Sequence, residues 1–411
     1  MKMNAVVAGV GMTRFGKHLE SGLKAIGAEA VEAALKDAGM TGADIEAAYV
    51  GNAAAGLVTG QECIRGQVVL RSAGIGKIPV INVENACASA STALHQAAAM
   101  VTAGLYDVVL ALGVEKLYHE DKRKSFAAFS GAVDVEAMAE IMARLKEGAK
   151  EASPGSSGEG AGENRSMFMD IYAAAARNHM KHYGTTVNQF AGVAAKNSFH
   201  GSMNPRAQFR EALSVEDVLN SPMIAAPLTR PMCSPIGDGA AAVVVVSERK
   251  ARSLGLVTPV RISSMVLHSG WDHAPGEEGG AAELCAREAY AEAGVGPKDL
   301  SVIELHDASA PAELMAYESL GLCAKGEGGR LIDSGATRLG GPIPVNTSGG
   351  LLRKGHPVGA TGIAQVVELT EQLRGDSGAR QVKGAKVGLA HNGGGSIGSD
   401  AAAMCISVLV R

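Results

Sequence analysis

The strongest constraint on the fold is that the chain contains the same pattern twice. Residues 30–39 read as an amphipathic helix stopped by Gly39, and residues 285–294 read as the same helix stopped by Gly294. A turn carrying an aspartate follows each, Asp44 and Asp299, and each turn leads into a hydrophobic strand, at 47–51 and 302–305. The step is constant. Gly294 lies 255 positions after Gly39, Asp299 lies 255 after Asp44, and the same step carries Gly51 to His306. With small length changes, the β-branched run before Cys87 matches residues 343–350, and Asp238 before one hydrophobic strand matches Asp400 before another. Two halves that alternate strands and helices and close on a hydrophobic strand predict a layered α/β fold with a pseudo-two-fold axis. A site is expected where helix N-termini from both halves meet.

Four stretches carry chemistry. Residues 79–94 read as a strand, a sharp turn and a helix whose first turn holds Cys87. The helix dipole and unpaired N–H groups there favour thiolate, and Ala86, Ala88, Ser89 and Ala90 leave room for a substrate carbonyl. A lone cysteine among alanines is more often an inert core residue, so both readings stand on this stretch alone. His356 lies between Gly355 and Pro357 in a glycine-dense loop before a helix, where an imidazole has no packing role and suits a general base. His306-Asp307 ends a buried strand, either at a site or as a histidine satisfied by its neighbours. His391-Asn392-Gly393-Gly394-Gly395 exposes consecutive N–H groups suited to an oxyanion hole. Gly393, Gly395 and Gly398 also satisfy GxGxxG, but a strand rather than a helix follows, which excludes dinucleotide binding.

Between the halves, residues 119–235 have a different character: a charged start at 120–124, a helical stretch at 133–150, linker composition at 153–160, and a helix-rich part from 167 to 197. The expected organisation is an N-terminal half at 1–118, completed by about 236–256, a loop domain inserted at 119–235, and a C-terminal half at 257–411. The 53 glycines and 4% aromatics suit closely approaching layers, and a net charge of −4 excludes a nucleic-acid binder that needs a basic face. The six cysteines have no metal-ligand spacing and no signal peptide precedes the first strand, so free thiols in a reducing cytoplasm and no bound metal are expected. No apolar run is long enough to span a bilayer.

These motifs, together with Met232-Cys233-Ser234-Pro235 and Asp238-Gly239-Ala240, resemble the thiolase superfamily over nearly the whole chain, nearest its sterol-carrier-protein-type and archaeal acetoacetyl-CoA branch. The resemblance implies the duplicated five-layer αβαβα fold with an inserted loop domain. It makes Cys87 the acylated nucleophile, His356 the group that takes its proton, and His306 a stabiliser of the thioester enolate. The N–H groups of Cys87 and Gly393 would form the oxyanion hole. The implied reaction is acyltransfer between a 3-oxoacyl-CoA and CoA, or the reverse Claisen condensation, in lipid or aromatic degradation. CoA is then a substrate, and no permanently bound cofactor is expected.

One departure matters. Ordinary thiolases carry a second cysteine where this chain has His391, and sterol-carrier-type relatives offer one where it has Ala308, so a histidine, His391 or His306, or water must protonate the α-carbon. A second departure is Ser309-Ala310 in place of phenylalanine. With Asn392, it suggests a roomier acyl pocket for a branched or aryl substrate such as benzoylsuccinyl-CoA. A homodimer is implied, and some relatives work with a separate zinc-ribbon/OB-fold subunit. The alternatives are a retro-aldol lyase of CoA-ester side chains and a non-thiolytic acyltransferase or condensing enzyme.

Overall fold

A computed structural model describes residues 3–152, 161, 165–256, 259–274, 279–398 and 400–411; the linker-like stretch at 153–160 lies outside them. The first half runs β1 (Ala5–Met12), α1 (Leu23–Ala38), β2 (Ala47–Gly51), α2 (Ala55–Thr59), α3 (Arg65–Ser72), β3 (Val80–Val83), α4 (Ser89–Thr102) and β4 (Val108–Glu115). Helices α5 (Lys122–Ser130), α6 (Met138–Ala152), α7 (Met167–Tyr183), α8 (Val187–Ser202) and α9 (Val215–Leu219) follow, with a hairpin of β5 (Met223–Ala225) and β6 (Leu228–Thr229). The chain then returns through β7 (Gly239–Ser247) and α10 (Glu248–Ser253). The second half comprises β8 (Val260–His268), α11 (Ala281–Ala293), β9 (Val302–Glu304), α12 (Ala310–Ser319), α13 (Gly328–Asp333), α14 (Gly350–Arg353), α15 (Thr361–Arg374), β10 (Val387–Gly394) and β11 (Ala403–Val410).

The duplication is visible at atomic detail. Helix α1 buries Leu23, Ile26, Ala30, Val31, Ala34 and Ala38 on one face and ends where Gly39 turns left-handed at φ 65°. Helix α11 ends in the same way on Gly294, at φ 69°. The repeated aspartate also has one job in both halves. Asp44 accepts from the Thr41 N–H at 2.8 Å and Asp299 from the Gly296 N–H at 2.7 Å, each closing the turn before the next strand.

The strands run β3-β2-β4-β7-β1 in the first half and β9-β10-β11-β8 in the second, and pairing of β1 with β8 joins them edge to edge. The counterpart of β3 is reduced to one parallel bridge, Ile303 to Val345. Its helix does not follow at once, as the sequence match at 343–350 implied. The partner of α4 is α15, and residues 348–360, with α14 and His356, are interposed.

Helices α4 and α15 lie in the middle, where Leu94, Val101, Ile363 and Val367 share one core with Val7, Val109 and Val245 of the first half and Ile262 and Ala390 of the second. Val31, Ala34 and Leu35 of α1 with Val69 and Leu70 of α3 cover one outer face; Cys285 and Ala289 of α11 with Ala316 and Tyr317 of α12 cover the other. The layers therefore read α-β-α-β-α. Each fully buried Val, Leu or Ile contributes about 1.5–3 kcal/mol of transfer free energy, so sandwiching the central helices on both sides is what fixes the two halves together. The helices between β4 and β7 build their own core, in which Phe190, Val193 and Met232 pack on Ala310, Leu314 and Leu352 of the second half. No helix among the described residues is long and apolar enough to cross a membrane.

Candidate active site

Cys87 stands in a 3₁₀ turn, Ala86–Ala88, that feeds α4; the matching turn, Val358–Ala360, feeds α15. Ala86 holds a left-handed backbone at φ 47°, which costs an L-residue about 1–2 kcal/mol. Its N–H donates to the Glu84 carboxylate at 2.6 Å and its carbonyl accepts from Ser89 Oγ at 2.6 Å, and these bonds offset the strain. The two turns are locked together by Glu115 at the end of β4. Its buried carboxylate accepts from the N–H groups of Ala53 (3.2 Å) and Ala54 (3.1 Å) and, across the joint, from Gly359 N–H (2.9 Å). Gly362 permits the closest approach: a Cβ there would lie 1.9 Å from Ser91 Oγ.

This joint brings together residues far apart in sequence. Cys87 Sγ and one ring nitrogen each of His306 and His356 lie within 4.8 Å of one another. His356 Nδ1 is 2.7 Å from Thr361 Oγ1, whose own proton goes to the Pro357 carbonyl at 3.0 Å. The hydroxyl therefore accepts from Nδ1–H, and Nε2 of His356 is left as the acceptor. His306 is set the other way. Its Nδ1 is 2.8 Å from the Asn392 amide nitrogen, whose oxygen is held by Ser91 Oγ at 2.7 Å. With the amide so oriented, Nδ1 accepts and the His306 proton sits on Nε2. His391 Nδ1 faces the backbone N–H of His306 at 3.4 Å. Asp307 turns away from the cavity and accepts from Leu351 N–H at 2.7 Å, which seats α14 and the loop that carries His356.

Electrostatics correct one expectation. The dipole argument favoured a resting thiolate, yet burial pushes the Cys87 thiol up to about 12, reinforced by Glu115 and, more weakly, Glu84, while the N–H groups of Gly395 and Cys87 oppose the shift. Burial, with the Lys354 charge, holds His356 down to about 3, and burial holds His391 at about 4. Burial, then repulsion from His356 and His391, keeps His306 well below its usual range. The resting pair is thus a neutral thiol beside a neutral imidazole, an arrangement in which the base takes the thiol proton as sulfur attacks.

Cys87, His306, His356, His391 and Gly393 all line one cavity of about 860 Å³, roofed by the helices between β4 and β7. Two pocket expectations are corrected. Ser309 is fully buried as the N-cap of α12, its backbone bridging Cys233, and the cavity wall there is formed by Ala308 and Ala312. Asn392 is buried beneath the cavity, where it orients His306. Thr361, Ser91 and Glu115 were missed by sequence reasoning. A threonine five positions after a loop histidine, at the start of a helix, was the one available signal.

A thiol and a neutral base at paired helix starts, with the imidazoles of His306 just past β9 and His391 on β10, make a site suited to thiol-based acyl transfer. Residues 5–249 match the thiolase N-terminal domain family, and residues 274–407 match the thiolase C-terminal domain-like family. The chain belongs to the thiolase family and is an acyl-CoA acyltransferase. It is 40% identical over 402 residues to an acetyl-CoA acetyltransferase of Methanothermobacter thermautotrophicus, covering 97% of this chain and 98% of that one. It is 36% identical over 402 residues to the benzoylsuccinyl-CoA thiolase subunit BbsB of Thauera aromatica, covering 96% of each. Among solved structures it resembles the Ltp2-ChsH2(DUF35) aldolase, with a TM-score of 0.78 and 26% identity over 99% of this chain and 98% of that one.

Proposed function

We propose that the protein cleaves a 3-oxoacyl-CoA with CoA through an acyl-Cys87 intermediate, or runs the reverse condensation. The observation that carries this reading is the clustering of Cys87 Sγ with the His306 and His356 ring nitrogens within 4.8 Å. His356 Nε2 removes the Cys87 proton as sulfur bonds to C3. The oxyanion is met by the N–H groups of Cys87 and Gly393, each such donor being worth about 3 kcal/mol. The C2–C3 bond breaks, its electron pair forms the thioester enolate, and His306 Nε2–H donates to the enolate oxygen. The proton that C2 needs is the one His356 removed, and His391 is assigned to hand it over, so the balance closes without a second cysteine. CoA then gives its thiol proton to His356 and accepts the acyl group, and Cys87 recovers its proton.

The wide cavity, walled by small Ala308 and Ala312 and by aromatic side chains such as Phe168 and Tyr172, supports a branched or aryl acyl group. CoA serves as substrate with no permanently bound cofactor. The six free cysteines fit a reducing cytoplasm. A homodimeric core and a separately encoded zinc-ribbon/OB-fold subunit are the expected assembly; the relative named as a subunit and the DUF35-bearing neighbour support the latter. Incubation with a panel of 3-oxoacyl-CoA esters and CoA tests the reading. Acyl-CoA and acetyl-CoA in equal amounts, abolished by Cys87→Ser, are expected. Cleavage that survives Cys87→Ser points to retro-aldol chemistry instead.

A further inference from the structure

Tyr172, on α7 of the insertion, is a polar group in the cavity that the reaction above does not use. Two other tyrosines have partners within the protein: Tyr290 donates to the Leu320 carbonyl at 2.9 Å, and Tyr317 donates to Glu313. The Tyr172 hydroxyl has no hydrogen-bond partner among the described residues, although it lines the same cavity as Cys87. The side chain is half-buried at the cavity wall, which leaves the phenol able to donate to the oxygen of a bound ligand. Its ring is held in place. Phe168 lies against it with centroids 6.5 Å apart, and Phe129 meets Phe168 edge to face at 6.5 Å. Burial pushes the phenol up, and the charge on a Cys87 thiolate would push it further, so the group stays protonated and acts as a donor close to the reacting sulfur.

Two of the substrate oxygens already have donors in the reaction above. The C3 oxyanion has the N–H groups of Cys87 and Gly393, and the enolate oxygen has His306. We propose that Tyr172 is a specificity-determining residue whose hydroxyl donates a hydrogen bond to an acceptor oxygen carried by the acyl group beyond C3. The preferred substrates are therefore 3-oxoacyl-CoA esters with an oxygenated acyl chain rather than a plain alkyl one. This rests on the acyl-Cys87 reading and deepens it.

The test compares 3-oxoadipyl-CoA, with a carboxylate at the chain end, and 3-oxohexanoyl-CoA, of the same carbon count without it. The full-length protein should favour the oxygenated ester by at least about tenfold in kcat/KM, and Tyr172→Phe should erase that preference while leaving the alkyl ester within about twofold. Equal loss on both esters, or no change on either, overturns the proposal. A second measurement separates its failure from that of the thiolase reading. Calorimetric affinities of both esters are taken on Cys87→Ala and on Cys87→Ala with Tyr172→Phe, where no turnover is needed. Tighter binding of 3-oxoadipyl-CoA that depends on Tyr172 upholds the assignment even if no ester is cleaved. A preference that survives Tyr172→Phe, or none at all, refutes it.

Discussion

His306 and His356 meet edge to face across the joint between the two halves, ring centroids 5.1 Å apart and planes at 86°. Their protons are fixed on opposite nitrogens, Nδ1 in His356 and Nε2 in His306, by Thr361 and Asn392. One ring is thereby an acceptor and its neighbour a donor at the same thiol. Asn392→Asp tests this directly. An aspartate can only accept, so it draws the His306 proton to Nδ1 and removes the donor from the cavity side. A fall in kcat of about 100-fold with little change in KM is expected, since the lost interaction forms only as charge develops. Steady-state kinetics beside a folded circular-dichroism spectrum is the check.

Thr361→Val removes the acceptor that holds His356 Nδ1–H and leaves a fully buried imidazole without its partner. Activity should fall by about tenfold or more, with recovery in Thr361→Ser, which restores the hydroxyl. A purely structural role for the threonine would instead lower the melting temperature while leaving kcat intact.

The pH response follows from the buried imidazoles. His200, His356 and His391 sit near 3, 3 and 4, the first because burial outweighs its bonds to backbone. Each is neutral when folded and titrates near 6.5 when unfolded, so below 6.5 the unfolded chain binds more protons. Stability is then complete above 6.5 and is lost as pH falls toward the folded values, by about 1.4 kcal/mol per group and pH unit. From pH 6.5 to 5.0 that is about 2 kcal/mol for each of the three. Turnover should show no acid limb at 6.5 from His356. Its decline below pH 6 should coincide with loss of near-ultraviolet circular dichroism, measured on the same samples.

Glu115 is the clamp between the halves. Glu115→Ala strands the N–H groups of Ala53, Ala54 and Gly359, each worth about 1–3 kcal/mol when left unsatisfied in the interior. Gly359→Ala acts on the same contact from the other side, since a Cβ would fall 2.8 Å from Glu115 Oε2 and 2.9 Å from Asn52 Cα. Both variants should melt lower than the parent by scanning calorimetry. Their double mutant should fall short of the sum, because they break one contact.

Much of this was legible in the sequence. The repeat gave both outer helices, their glycine stops and the aspartate-closed turns, because these depend on neighbours a few residues away. Cys87, His306, His356 and His391 stood out for the same reason: each sits in a stretch whose glycines or small residues have no local packing purpose. The roles of the groups that tune them did not stand out, although Asn392 itself did, as a pocket residue. Ser91, Asn392 and Glu115 act through partners far along the chain, as Ser91 does 301 positions from Asn392, and no local period records such a pairing. Ser309 went astray because a serine before a helix suits an N-cap as well as a pocket, and only the fold shows which way it turns. The resting thiol was misjudged because the helix-start dipole is visible in sequence while burial beside Glu115 is not.

The central claim is that Cys87 carries the acyl group. Intact-protein and peptide mass spectrometry after rapid mixing with a 3-oxoacyl-CoA that the enzyme turns over, before CoA is added, tests it most directly. The account predicts a mass increase equal to the acyl group on the peptide containing Cys87, its disappearance on adding CoA with release of the acyl-CoA, and no adduct in Cys87→Ala. Turnover of that ester with Cys87 unmodified throughout would contradict it.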